Sequence, residues 1–219
     1  SIEVSSGYTL TIDASSSGYG QLKASGTITN NGTIIQKQYV SSTGHHGISS
    51  SMSAGFSTTS GTASELYEYN SATGAYNMSP ATNSAGTGYF APVQASDGFI
   101  SSAGVFSVTG TPNTSHTWSL GYASNQASGG SGSGWNLIGN PFPSYLDLNH
   151  FFTDNSSILD TNYAAIYAYD GDDSDGSVWT IYNSSNSSGQ YIAPGQAFFV
   201  ASASGGHTVN FNTSWQSAS

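Results

Sequence analysis

The stretch 134-GWNLIGNPFPS-144 sets a tryptophan, an apolar pair and an Asn-Pro turn directly behind the Ser/Gly-rich 128-SGGSGSG-134. It reads either as an active-site signature or as the first strand of a structural unit, and its surroundings decide between the two. A weaker counterpart, 44-GHHGISSSMS-53, lies upstream, and both are followed by a similar series of short apolar runs. The upstream series is 66-LYEYN-70, 89-YFAPVQASDGFIS-101 and 105-VFSVTG-110. The downstream series is 166-IYAYD-170, 178-VWTIYN-183, 191-YIAPGQAFFVAS-202 and 209-VNFNTS-214. Tyr67 and Tyr69 match Tyr167 and Tyr169, and Ala91-Pro92 matches Ala193-Pro194. Self-similarity of this kind marks a degenerate tandem duplication. In that frame Trp135, Leu137 and Phe142 are core residues. Gly139-Asn140-Pro141 ends a strand, because proline donates no ladder hydrogen bond and restricts the residue before it.

Nearly every run is β-branched or aromatic and bounded by Gly, Asn, Ser or Pro, the pattern of short strands. The one helical candidate is 145-YLDLNHFFTDN-155, with Leu146, His150 and Asp154 on one face and Ser144 placed to cap it. The opening segment, Ser1–Asp13, alternates with period two and sets Ile2, Val4, Tyr8, Leu10 and Ile12 on one side of a long strand. Asn31-Gly32, inside 26-GTITNNGTIIQKQYV-40, is a strong hairpin signal. The predicted fold is all-β and β-sandwich-like. It comprises an N-terminal strand/hairpin segment (1–38), a first β unit (39–127) and its duplicate (134–219), joined by the Ser/Gly linker around 126–134.

Charged residues make up only 6% of the 219 residues, against about 25% in ordinary domains. The only cations are Lys23 and Lys37, and the formal net charge is −10. Nucleic acid is excluded as a partner, since phosphate neutralisation needs Lys or Arg. Membrane insertion is not expected, because no apolar run is long enough to span a bilayer. With 36% hydrophobic residues, including 14 Tyr and 4 Trp, the chain still has the material for a packed core. There is no cysteine, which removes disulfide and thiolate chemistry. Ser1 opens mid-pattern, as the start of a processed chain would.

The combination GWNLIGNPFPS, IYAYDG with Trp179, YIAPGQAFFVAS and VNFN resembles a module of secreted proteins of the Bacteroidota, found just before the C-terminal sorting domain of type IX secretion cargo. The leading 7-GYTLTI-12 and 26-GTITNNGTI-34 are similar to β-rung repeats that precede it. The resemblance implies a secreted, extracellular or cell-surface β module and carries over no catalytic residue. The sequence departs from the pattern in lacking the sorting domain, as removal during export would produce, and in its scarcity of Lys and Arg.

Candidate chemistry is sparse. Within 170-DGDDSDG-176, Asp170, Asp172, Ser174 and Asp175 resemble the start of a calcium loop, but the glycine comes one place late and Ile181 stands where the closing Glu belongs. The competing reading, a solvated hairpin turn, is favoured by the first copy, whose 70-NSATG-74 carries no acid. No other cofactor is expected. His45 and His46, being adjacent, point to opposite faces of a strand and do not chelate together; His116, His150 and His207 are scattered. Asp147, Asp154 and Asp160 single out no glycosidase pair, and 132-GSGWN-136 and 47-GISSS-51 only brush past a nucleophile elbow. No catalytic residue is assigned and the chain is not expected to be an enzyme. The Asn-x-Ser/Thr sequences, such as those at Asn31 and Asn155, are unremarkable in so Ser- and Asn-rich a chain.

Two functions remain. The first is a structural subunit of an extracellular filament, sheath or adhesive fibre, a homopolymer in which Ile2, Val4, Tyr8, Leu10 and Ile12 dock on a neighbour's sheet edge. The second is a carbohydrate-binding adhesin using Tyr167, Tyr169, Trp179 and Tyr182 as stacking platforms for surface glycans, with calcium as a possible stabiliser. A glycan hydrolase ranks behind both.

Overall fold

The computed structural model describes residues 1–41, 44–53, 56, 66–78, 84–93, 100, 104–123, 134–169 and 178–218. The chain is all-β and sandwich-like, with one short α-helix among the described residues. An N-terminal segment carries β1 (Ile2–Val4), β2 (Thr9–Ile12), β3 (Ala14–Ser15), β4 (Gly18–Tyr19) and β5 (Ile28–Asn30). There follow β6 (Thr33–Val40), β7 (Gly44–Ser49), β8 (Tyr67–Asn70), β9 (Ala75–Met78), β10 (Gly88–Val93) and β11 (Gly104–Thr109). A second series runs β12 (His116–Leu120), β13 (Trp135–Gly139), β14 (Tyr145–Asp147), α1 (Leu148–Asn155), β15 (Ala165–Tyr169), β16 (Trp179–Asn183), β17 (Tyr191–Ile192), β18 (Ala197–Ala201) and β19 (His207–Phe211). The chain ends with β20 (Gln216–Ser217).

The two series have one topology. The sheet β7-β10-β8-β9 has the same order and antiparallel pairing as β13-β18-β15-β16. Likewise β6 pairs β11 as β12 pairs β19. Among the described residues each repeat therefore has six strands, β6 to β11 and then β12 to β19 without the inserted β14, α1 and β17. The second repeat begins at β12, before the Ser/Gly-rich stretch, so residues 126–134 fall inside it rather than ahead of it. Ladder registers also fix equivalent residues: Phe90 faces Tyr67 as Phe199 faces Tyr167. That makes Gly88–Val93 equivalent to residues 197–202 and corrects the match of Ala91-Pro92 with Ala193-Pro194. Apolar identity at two letters is weaker than a strand register.

Alternation along the strands builds three cores. Leu66, Tyr89, Ala91 and Val93 point into the first repeat, beside Ile34, Phe106 and Val108. Ile138, Ile166, Ala168, Phe198 and Val200 do the same in the second, with Phe142, Phe151, Phe211 and Trp215. The opposite faces of the two four-stranded sheets meet in a third cluster around Phe90, Leu137, Ala197 and Phe199. The central strands of both sheets are thus covered on both sides, which is why Gly88–Val93 and Ala197–Ala201 are buried at every position. A strand buried on both faces reads as a continuous apolar run.

The repeats are related by a pseudo-twofold axis, because their contacts are reciprocal. Tyr69 meets Phe199 at 5.0 Å and Phe90 meets Tyr169 at 5.1 Å, each edge to face. The backbone obeys the same exchange: bridges join Ile48 to Gln196 and Thr87 to Ile138. Ser49 N–H donates to Gly195 O (2.6 Å), and Gly139 N–H donates to Gly86 O (3.0 Å). Gly86 and Gly195 are equivalent, with φ of 71° and 70°. A Cβ at Gly195 would strike the Gln38 amide and one at Gly86 the His116 ring, so both need glycine.

The N-terminal segment departs from expectation in two ways. Ser1–Asp13 is not one strand: Tyr8 N–H bonds Ser5 O (3.1 Å), and this turn separates β1 from β2 and leaves Tyr8 72% exposed. Asn31-Gly32 makes no hairpin either. β5 pairs with β1 and β6 with β2, both parallel, so the two segments stack like rungs. Asn31 N–H donates to Val4 O (2.8 Å) and Thr33 N–H to Tyr8 O (2.9 Å), clamping one corner over the other. Asn-Gly favours any tight corner with little side-chain bulk, and here a Cβ on Gly32 would lie 2.4 Å from Tyr8 O. Of the five residues expected to dock on a neighbour, Val4 and Ile12 are buried in the chain's own first core, Leu10 packs against it and Ile2 is half-buried. Only Tyr8 projects freely.

The helix α1 is shorter than the candidate span and is capped by Asp147, whose carboxylate accepts from Asn149 N–H and His150 N–H. Ser144 is instead buried, its hydroxyl paired with Gln216. Leu146 lies on β14 rather than on the helix.

Candidate functional site

The third cluster does not close over. Around Phe90 and Phe199, half-buried rings of Tyr67, Tyr69, Trp135, Tyr167, Tyr169 and Trp179 leave two adjacent clefts of about 430 Å³ and 370 Å³. The larger is lined by Tyr69, Tyr76, Trp135, Tyr167, Trp179, Ile181 and Phe199. The smaller is lined by His45, Tyr67, Tyr76, Phe90, Tyr169 and Trp179. Strand pairing makes Tyr76 the counterpart of Trp179, and His45 that of Trp135. The second cleft is therefore the pseudo-symmetric image of the first. Tyr76 and Trp179 line both, so the two clefts adjoin across the axis and together make up an aromatic groove.

Ring geometry repeats across the axis. Tyr69 meets Tyr76 at 5.4 Å and 69°, and Tyr169 meets Trp179 at 5.3 Å and 72°. Tyr76–Phe90 (5.7 Å) mirrors Trp179–Phe199 (5.8 Å), and His45–Tyr67 (5.9 Å) mirrors Trp135–Tyr167 (5.0 Å). Edge-to-face contacts of this kind hold each ring by its neighbour and preform the walls. Tyr76 and Ile181 remain 47% and 48% exposed, so the groove faces solvent. Among the described residues its lining carries no Lys, Arg, Asp or Glu. Burial pushes the Tyr76 phenol up to about 12 and raises that of Tyr167, so both stay neutral.

Of the four expected platform residues, Tyr167 and Trp179 line the larger cleft and Tyr169 and Trp179 the smaller. Tyr182 points to the other face of β16 and packs on the second core, a consequence of strand alternation. Tyr76 and Phe199 carry no expectation from sequence, Trp135 is expected there as core, and His45 is weighed only as a metal ligand. The available signal was the repeat itself, which matches Tyr69 to Tyr169 and His45 to Trp135.

Asp170, Asp172, Ser174 and Asp175 lie outside the described residues. Among the described residues, no three His, Asp or Glu side chains come together as a metal site would require. Asp147 caps α1, Asp154 accepts from Trp215 Nε1–H (2.6 Å) and Asp160 accepts from Asn162 N–H (2.8 Å). His116 stacks on Trp118 at 6.2 Å, and His150 is exposed on α1. No helix among the described residues is long and apolar enough to cross a membrane. No protein-family model matches the chain, and neither the curated proteins nor the solved structures contain a match to it.

Proposed function

We propose that the chain is a non-catalytic, extracellular adhesin-type module that binds a neutral glycan in the aromatic groove. The observation that carries this reading is the preformed, solvent-facing groove of Tyr and Trp rings, with no charged side chain among its described lining residues. Each cleft falls within the size range of small-molecule sites, about 300–1,000 Å³. Aromatic faces take the apolar C–H faces of pyranose rings, while phenol and indole groups at the rim pair with hydroxyls. A chain of net charge −10 with no cation in the groove repels polyanions, which leaves uncharged sugars as the matching class.

The test is binding of the intact chain to an array of neutral and acidic glycans, repeated with Trp179→Ala and with choline chloride as competitor. Neutral glycans retained by the wild type and lost by the variant support the reading. Saturation of the groove by choline, a cation that aromatic cages also accept, overturns it.

The second reading, a self-assembling fibre subunit, draws support from the sheet edges β2, β9 and β16, each paired on one side only among the described residues. In that case neighbours join at those edges and not through a donated Ser1–Asp13, whose apolar residues already serve their own core. Electron microscopy of the purified chain checks it: regular fibres support this reading, and dispersed monomers at high concentration end it.

A further inference from the structure

Resting on the glycan reading, we infer that the groove holds two unequal subsites for neighbouring sugar rings of one glycan, and that the pair Trp135 and His45 sets their difference. The clefts are adjacent and share the rings of Tyr76 and Trp179, so an occupant of one lies against the other. Their walls are built from equivalent residues: Tyr167 with Tyr67, Tyr69 with Tyr169, Phe199 with Phe90. The substitutions between them are few, and the largest in aromatic area is Trp135 for His45. An indole offers a wider apolar face than an imidazole, and Trp135 is held by Tyr163 at 5.4 Å as well as by Tyr167. Among the described residues, His45 makes one ring contact, with Tyr67. The Trp135 subsite is the anchor. The His45 subsite adds affinity only when a second ring is covalently attached to the first, because the attachment makes its binding effectively intramolecular.

Calorimetric titration of the intact chain with gluco-, manno- and xylo-oligosaccharides of one to four rings tests this directly. The expected result is a gain of about tenfold in affinity from one ring to two, with little further gain at three and four. Trp135→Ala is expected to weaken disaccharide binding by about tenfold, and His45→Trp to strengthen it by several-fold. Trp135→Phe, which keeps a packed ring, distinguishes a lost platform from a misfolded sheet: it is expected to bind at an intermediate level. A monosaccharide bound as tightly as a disaccharide, or a His45→Trp variant with unchanged disaccharide affinity, overturns the two-subsite inference and leaves glycan binding standing. Failure of every oligosaccharide to bind overturns the glycan reading itself.

Discussion

At Asn140 the side-chain amide donates to the carbonyls of Ser144 (2.8 Å), Ile192 (3.2 Å) and Ala193 (3.1 Å), while its oxygen accepts from Phe142 N–H (3.0 Å). The residue is wholly buried, so it satisfies backbone groups that water cannot reach. Asn140→Ala leaves those groups unpaired, and a loss of about 2–4 kcal/mol is expected in urea unfolding. Asn136 acts similarly, tying Gly121 to Gly134 through both ends of its amide. His116 offers a pH test. Burial pushes its imidazole below the usual 6.5, and Nε2 is buried without a hydrogen-bond partner among the described residues. Its folded form stays neutral where the unfolded chain takes up a proton, so stability is full above about pH 6.5 and falls as pH drops through the lower folded value. Thermal unfolding between pH 7 and pH 5 should show this slope, and His116→Phe should flatten it.

At the level of elements, the N-terminal strands bear on the choice between fibre subunit and binding module. Val4 and Ile12 pack in the first core, whereas Tyr8 stands in solvent. The double variant Val4→Ala/Ile12→Ala is therefore expected to cost about 3–6 kcal/mol in denaturant unfolding of the isolated chain, and Tyr8→Ala within about 0.5 kcal/mol. Equal and small effects would mean that β1 and β2 are not held by their own chain. The strands themselves were legible from alternation, and so was the pairing of Tyr67/Tyr69 with Tyr167/Tyr169. The Asn31-Gly32 hairpin was not, because a local turn signal does not say whether the flanking strands pair with each other or with an earlier rung. The helix cap went to Asp147 for a similar reason: Ser144 has capping chemistry, but Gln216, far along the chain, claims its hydroxyl.

For the whole molecule, the pseudo-twofold axis couples the two repeats. They share the third core, two backbone bridges and the groove. Each repeat alone would expose Phe90 or Phe199 and half of the aromatic walls. Calorimetry of the intact chain is expected to show one unfolding transition; two resolved transitions would show repeats that are stable by themselves. The repeat was visible in sequence as order and spacing, but its start was misplaced at the Ser/Gly-rich stretch. The structure starts the second repeat at β12, since β12 pairs β19 as β6 pairs β11.

The sequence by itself determined the all-β class, the short alternating strands, the duplication and the near absence of charge. All of these are properties of neighbouring residues or of composition. Only the tertiary structure decided which face of each Tyr-x-Tyr strand meets the other repeat, and that Tyr76 and Trp179 stand between two mirrored clefts. Those relations depend on a rotation between segments far apart in the chain, and period-two alternation assigns a side chain to a face without saying what that face will meet.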